Sequence, residues 1–385
     1  MKTLVLGGYG NFGARICRAL AADASIELIV GGRDAARAQA LADAIGRGAR
    51  GLGIDHRADD FPLALRRNRV ALLIHTAGPF QQQSYDVARA AAAAGAHYID
   101  LADGRRFVCD FPAALDADFR AAGVTAVCGA STVPALSSAV VEHLCDGWTR
   151  IDRIDTCIAP AQHAPRGRAT LSAVLSSCGA PIPVWDDGRW QVRRGWSGLE
   201  PVTFARLRPR LGALCDIPDL ELFPAAYRVS QRVMFRAALE VGVAQRSFAV
   251  LAALTSAGLL RRPERLAGLL TAGAPLFDWL GSALGGMVVR VAGIDRDGRS
   301  ARRAWHVAAD DDTGPEIPCM AAILVARRLA LGPGSTDAAS GPPALRPGAM
   351  TALGLLRLDA FAPAFAHWGM VTDLVDGADA GGPVR

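Results

Sequence analysis

Six positions near the N-terminus, Gly8-Tyr9-Gly10-Asn11-Phe12-Gly13, spell G-x-G-x-x-G between an apolar run and a segment of helical spacing. In that context each glycine has a physical reason. Gly8 permits a tight turn, Gly10 lets the backbone approach a pyrophosphate, and Gly13 lets a helix pack on a strand. The helix start then offers free N–H groups and a positive dipole end to phosphate. Gly8, Gly10, Asn11, Phe12 and Gly13 are therefore candidate dinucleotide ligands. An NAD site carries Asp or Glu about 20 residues further on, against the ribose 2′-hydroxyl. Here the second apolar run ends in Gly31-Gly32-Arg33-Asp34. A guanidinium pairs with a 2′-phosphate and a carboxylate repels it, so NADP(H) is expected. NAD(H) is the alternative if Asp34 faces the ribose, although Asp34 also stands where a helix N-cap belongs. Ala77, Gly78 and Pro79 follow the fourth apolar run and are expected to line the nicotinamide side. Asp55 ends the third run and is a candidate for the adenine side.

Proton chemistry is narrowed by composition. Of 42 basic residues among 385, a single one is lysine, Lys2. No internal lysine exists for a Schiff base, a P-loop or a Tyr-x-x-x-Lys pair. The four tyrosines and seven histidines make a short inventory of alternatives. Asp103, at the exit of the fifth run, is the leading proton donor, with Tyr85 and Tyr98 as further candidates. His163, Arg166 and Arg168 are candidate substrate contacts, most of all for an anionic substrate. His75 falls inside a buried run and reads as a core histidine. Cys128 raises the aldehyde-dehydrogenase type of nucleophile, but its place within a strand argues for a buried, inert thiol.

The eight cysteines form no C-x-x-C, and no histidine stands at metal-ligand spacing. No metal site is expected. The net charge of +5 comes without a basic block, which argues against nucleic acid. Met1 leads directly into an apolar run without a leader pattern, so a reduced, cytoplasmic chain is expected.

These residues need elements to position them. Over about 130 residues, apolar runs alternate strictly with helical segments: runs at 3–8, 26–30, 50–54, 70–75, 97–101 and 124–128, helices at 12–22, 34–45, 59–67, 84–94 and 111–122. The run at 70–75 is continuously apolar up to its histidine, as in strands buried on both faces. The fold class expected is α/β, a doubly wound parallel Rossmann sheet with an inserted α+β substrate domain. The expected boundaries are 1–133 for the dinucleotide domain, 134–344 for the substrate and dimerisation domain, and 345–385 for a segment returning to the first. In the second region, residues 185–190 read as a hairpin, 185–240 as poor in helix, 287–294 and 301–309 as paired strands, and 315–331 as a helix. The apolar region 247–294 reads as buried core, with a substrate tunnel or membrane-facing patch as alternatives. Its longest uncharged stretch, Ser247 to Leu260, is shorter than the about 20 residues a spanning helix needs.

The G-x-G-x-x-G motif, Gly-Arg after the second strand, Thr76-Ala-Gly-Pro-Phe80 after the fourth, and Ala93-Ala-Gly-Ala-His-Tyr-Ile-Asp-Leu-Ala-Asp103 together resemble the saccharopine dehydrogenase-like oxidoreductase family. Val127-Cys-Gly-Ala-Ser-Thr-Val-Pro-Ala-Leu136 is similar to its sixth strand and next helix start. The likeness covers residues 1–145 well and the remainder in outline. It implies a Rossmann domain, an inserted domain and a substrate cleft between them. It also implies nicotinamide-dependent reduction of an imine or an activated alkene or carbonyl. Where the family has Gly-Glu after the fifth strand, this chain has Asp103-Gly104. A lysine acid, as the lysine-forming members suggest, has no residue to carry it here. A small, possibly apolar substrate and a homodimer are expected. A trans-acting lipid enoyl reductase and a non-catalytic NADP(H) sensor are the alternatives.

Overall fold

The computed structural model describes residues 1–81, 83–165, 174–175, 177–273, 278–331 and 345–377. They divide into two compact units. The first joins Met1–Leu136 to Pro315–Phe361, and the second joins Ser137–Gly314 to the chain from Ala362 onward.

The first unit alternates strand and helix: β1 (Lys2–Leu6), α1 (Asn11–Leu20), β2 (Glu27–Gly32), α2 (Ala35–Ile45), β3 (Arg50–Gly53), α3 (Phe61–Arg67), β4 (Leu72–His75), α4 (Asp86–Ala93), β5 (His97–Asp100), α5 (Arg105–Ala121) and β6 (Thr125–Cys128). The strands lie in the order β6-β5-β4-β1-β2-β3, and Gly348–Thr351 adds a seventh beside β6. Every pairing in this sheet is parallel. The sequence explains why. Leu4, Val5, Ile29, Val30, Leu73 and Ile74 are all completely buried, as strands covered by helices on both faces must be. The order reverses between β1 and β4, which opens a crevice at their C-terminal ends.

On α1, Gly13, Ile16, Cys17 and Leu20 form the buried stripe, at the three- and four-residue spacing of a core-facing helix. The helix Ile317–Leu331 packs against α1 within the same unit. The Cys319 thiol donates to Phe12 O at 3.6 Å, Arg15 pairs with Glu316, and Arg327 pairs with Asp23 at 3.0 Å. Eight of its residues are buried, a pattern that needs cover on most sides.

Helix α5 starts at Arg105, earlier than the expected 111. Pro112 fits a first turn better than an interior, where it costs about 3 kcal/mol. Burial of Phe107, Val108, Phe111, Leu115 and Phe119 on one stripe outweighs that, at roughly 1.5–3 kcal/mol for each large side chain. These aromatics enclose Tyr98, which stacks on Phe111 at 5.8 Å.

Asp100 locks two strand ends together. Its Oδ1 accepts from Ala102 N at 3.0 Å and from Gly129 N at 2.7 Å. Gly129 has φ +75, a conformation that favours glycine. The carboxyl is completely buried, and desolvation pushes its pKa up to about 6 despite those two bonds.

The second unit is built on a nine-stranded mixed sheet. Arg150–Ala159 pairs in parallel with Arg232–Ala237 and antiparallel with Gly285–Ile294. Gly285–Ile294 pairs in turn with Ser300–Ala309, and that strand with Val371–Asp376. A hairpin joins Pro181–Asp186 to Arg189–Arg194. Its turn residues, Asp187 and Gly188, both have positive φ, as a two-residue turn of this hand requires. Two expectations need correction. A helix, Asp219–Ala226, lies in the stretch read as poor in helix; Pro218 at its cap and Pro224 inside it hide the pattern. Of the region read as buried core, Gly285–Ile294 is core, but the helix before it is covered on one side only. Within Gly242–Ser256, Phe248 and Leu251 pack on a buried cluster, whereas Val243, Val250 and Leu254 are exposed. Trp279 is 81% exposed. Among the described residues no helix is long and apolar enough to cross a membrane.

A raised carboxyl pKa means that the folded state holds the proton more tightly than the unfolded chain. The contribution of Asp100 to stability therefore falls as pH rises from 3.8 to about 6, by about 3 kcal/mol in total. Asp100→Asn should remove that slope from denaturant-unfolding free energies measured between pH 4 and 7. Parallel wild-type and variant profiles would contradict the assignment.

Candidate dinucleotide site

The loop leaving β1 is tied down before any ligand arrives. Gly7 N and Gly8 N both donate to Gly31 O, at 3.0 and 2.9 Å. The residue with positive φ is Gly7, at +81. The turn freedom expected of Gly8 thus belongs one residue earlier. Gly8 is needed for space instead, since a Cβ there would stand 2.8 Å from both Val5 O and Val30 Cγ1. At Gly13 a Cβ would overlap the Gly7 carbonyl oxygen and lie 2.8 Å from Gly8 Cα. At Gly10 the one neighbour is Gly7 O at 3.0 Å, so the loop is open on that side. Gly10 is the N-cap of α1, with no side-chain cap and no acidic residue in the first turn. The N–H groups of Asn11, Phe12 and Gly13 therefore have no intrahelical acceptor. This is a cradle that a Cβ would fill, and it fits a pyrophosphate.

At the end of β2, Asp34 caps α2. Its Oδ1 accepts from Arg37 N at 3.0 Å. The Asp34 backbone N–H donates to Tyr9 Oη at 3.1 Å. The Tyr9 ring crosses Gly32, where a Cβ would lie 2.8 Å from Cζ, and the Arg37 guanidinium lies 4.6 Å above that ring. Arg33 is exposed. Beyond it, Asp55 Oδ1 accepts from Arg57 N at 3.1 Å and lies 3.9 Å from His56 Nδ1. Desolvation lowers the His56 pKa; Asp55 opposes the shift, and Arg57 and Arg33 add to it. The edge of the site after β2 and β3 is thus lined by arginines. Tyr9 and Arg37 were missed in the sequence reading. The four-residue step from Arg33 to Arg37 was a usable signal for Arg37. Nothing local marked Tyr9.

At the exit of β4, the Thr76 hydroxyl lies 2.9 Å from Leu6 O and 3.2 Å from Gly7 O. Ala77 is half-buried, Gly78 and Pro79 are exposed, and the Gly78–Pro79 bond is cis. Gln83 Nε2 donates to Ala77 O at 2.8 Å and Pro79 O at 2.9 Å.

The three candidate proton donors fall in different places. Asp103 is the one beside the β4 loop. Its Oδ1 accepts from Gln81 Nε2 at 3.1 Å, and its side chain reaches solvent. Desolvation raises the pKa of the carboxyl, and the Gln81 bond opposes the shift. Tyr98 is completely buried, and desolvation lifts its pKa well above the usual value. Tyr85 donates to Phe107 O at 3.0 Å, and desolvation pushes it up to about 12. Cys128 is buried as well, and desolvation keeps it a thiol. His163 belongs to the second unit. It is exposed, with Nε2 3.0 Å from Asp278 O and its backbone N–H donating to Ser282 O at 3.1 Å. Arg166 and Arg168 lie outside the described residues.

Residues 3–127 match the family model described as the saccharopine dehydrogenase NADP binding domain. The cofactor this indicates is NADP(H). No curated protein matches the chain. Among solved structures, the apo form of histidine-tagged saccharopine dehydrogenase (L-Glu forming) from Saccharomyces cerevisiae is similar in fold. It has a TM-score of 0.71 at 13% identity, over 98% of this chain and 100% of that one. Homospermidine synthase from Legionella pneumophila, solved in complex with NAD, matches with a TM-score of 0.57 at 10% identity, over 97% and 91% of the two chains. At such identities the likeness concerns the fold.

The contact between Gly13 and Gly7 generates a direct test. Gly13→Ala should destabilise the first unit by roughly 1–3 kcal/mol, the usual range for overpacking, and lower the thermal unfolding midpoint. A midpoint equal to wild type would show that the approach is looser than described.

Proposed function

We propose, from the match of residues 3–127 to the family model described as the saccharopine dehydrogenase NADP binding domain, that this chain is an NADP(H)-dependent oxidoreductase acting on an imine or an activated alkene or carbonyl. The observation that carries the choice of NADPH over NADH is the engagement of Asp34. Its carboxylate caps α2, so the one acidic group after β2 is committed to the backbone. Arg33 and Arg37 remain exposed there. Two guanidinium groups favour a 2′-phosphate by charge-assisted bonding.

The chain's own contribution divides by region. Gly10 and the first turn of α1 would hold the pyrophosphate. Arg33, Arg37 and Tyr9 would hold the adenosine end. Ala77, Gly78 and Pro79 would line the nicotinamide side. Bound there, NADPH supplies a hydride from its nicotinamide C4. Asp103 is the residue proposed to supply the proton. It stands beside the β4 loop, and a carboxyl with a raised pKa keeps its proton to higher pH. The absence of internal lysine excludes a lysine in that role.

Two observations favour other readings. The Tyr98 hydroxyl is in the core and the Tyr85 hydroxyl is committed to Phe107 O. Asp103 is then nearly alone as a donor, as a non-catalytic NADP(H) sensor would allow. The exposed Val250, Leu254 and Trp279 favour contact with an apolar molecule, as a lipid enoyl reductase would make. Stopped-flow oxidation of NADPH against imines, 2-enoyl thioesters and aldehydes separates the three. Turnover of one class, falling roughly 100-fold or more in Asp103→Asn, is expected. Tight NADPH binding without oxidation by any of them would favour the sensor.

A further inference from the structure

Gln83 stands just beyond the loop that leaves β4, and its two amide ends do different things. The nitrogen donates to Ala77 O and Pro79 O, at 2.8 and 2.9 Å. The oxygen faces His75 Nε2 at 3.0 Å. These contacts settle where the hydrogens are. Carbonyls only accept, so both amide protons are taken by Ala77 and Pro79. The amide oxygen must then accept from His75. His75 is 1% exposed, and desolvation holds its pKa down at about 4. It is therefore neutral at physiological pH, with its proton on Nε2. Phe80 closes against the imidazole at 5.0 Å, edge to face, so the ring has little freedom to turn.

The chain of bonds runs from a buried strand end through Gln83 to the two carbonyls that flank Gly78. At its other end the same loop is tied to the β1 exit through Thr76. The loop is thus held at two points. Thr76 fixes it beside the phosphate turn, and Gln83 fixes the part that extends toward β5. In this fold the dinucleotide crosses the switch point, with its adenosine half over β1, β2 and β3 and its other half over the β4 side.

We infer that Gln83, oriented by His75, is a positioning residue for the nicotinamide half of the dinucleotide site; this rests on the NADP(H)-binding reading above. An amide neither gives nor takes a proton at neutral pH, so Gln83 acts through the loop it shapes. With both carbonyls turned toward Gln83, the loop presents Gly78 and Pro79 to solvent. Without it, two carbonyls lose their donors and the loop reshapes on the β4 side. The hydrogen bonds of Gln83 go to His75, Ala77 and Pro79 and, among the described residues, none joins it to Arg33, Arg37 or Tyr9, so that side of the site is expected to change far less.

Two ligands separate the halves. NADP+ needs the whole site, and adenosine 2′,5′-bisphosphate needs only the adenosine half. Both are titrated calorimetrically into the full chain, as wild type, Gln83→Leu and Gln83→Glu. Gln83→Glu keeps the length and an acceptor toward His75, but it replaces the donors by an anionic oxygen facing two carbonyls, so it disturbs the loop without shortening the side chain and serves if Gln83→Leu folds poorly. The expected result is a roughly tenfold weaker Kd for NADP+, about 1.4 kcal/mol, with the bisphosphate unchanged within about twofold. Equal weakening of both ligands, or no weakening of NADP+, overturns the inference. A wild-type protein that binds neither ligand overturns the cofactor reading, and this inference with it.

Discussion

The close approach of Gly13 to the Gly7 carbonyl is the constraint from which the rest of the first unit follows. A Cβ at Gly13 would overlap that oxygen, so α1 can meet the end of β1 only through bare backbone. The approach brings the free N–H groups of the first turn of α1 over the switch point of the sheet. It also sets the angle at which Ile16, Cys17 and Leu20 enter the core. The loop between is held from two sides. Gly31 O takes both Gly7 N and Gly8 N, and Thr76 joins β4 to the same turn. Three strand exits are therefore locked into one rim before a ligand is present. Preorganisation of this kind lowers the ordering cost of binding.

Positive charge on that rim is supplied by arginine and by backbone N–H groups rather than by lysine. The single lysine, Lys2, pairs with Glu27 at 3.2 Å where β1 and β2 begin, at the opposite end of the strands from the phosphate turn. It takes no part in the site. After β2, Arg37 is held over Tyr9, and Tyr9 is fixed by the Asp34 backbone N–H. Asp34 thus serves twice, once through its side chain as the cap of α2 and once through its N–H as the partner of Tyr9. On the other side, Gln81 and Gln83 tie the β4 loop to Asp103 and His75. Neutral amides arrange one half of the rim and guanidinium groups the other, which matches a ligand whose negative charge is concentrated toward one end.

Much of this was legible in the sequence, because it depends on local pattern. Strict alternation of apolar runs and helices told of the parallel sheet, and the cap role of Asp34 could be read from its place before α2. What escaped depends on contacts between distant residues. The positive φ falls on Gly7 rather than Gly8 because both N–H groups of the turn reach back to Gly31 O. Tyr9 gains its role from Gly32 and Asp34, which are remote in the chain. The early start of α5 was masked by Pro112, a strong local signal overridden by the burial of five side chains. The half-exposed helix Gly242–Ser256 is uniformly apolar from Phe248 to Leu254, so its composition there does not reveal which face is covered.

The central claim is that the rim after β2 selects a 2′-phosphate through arginine. Fluorescence titration of wild type and Arg33→Ala with NADPH and with NADH tests it most directly. The account expects wild type to bind NADPH more tightly than NADH, and Arg33→Ala to lose affinity for NADPH roughly tenfold or more, the scale of one charge-assisted contact, with NADH nearly unchanged. Equal loss for both nucleotides, or tighter binding of NADH by wild type, would contradict it.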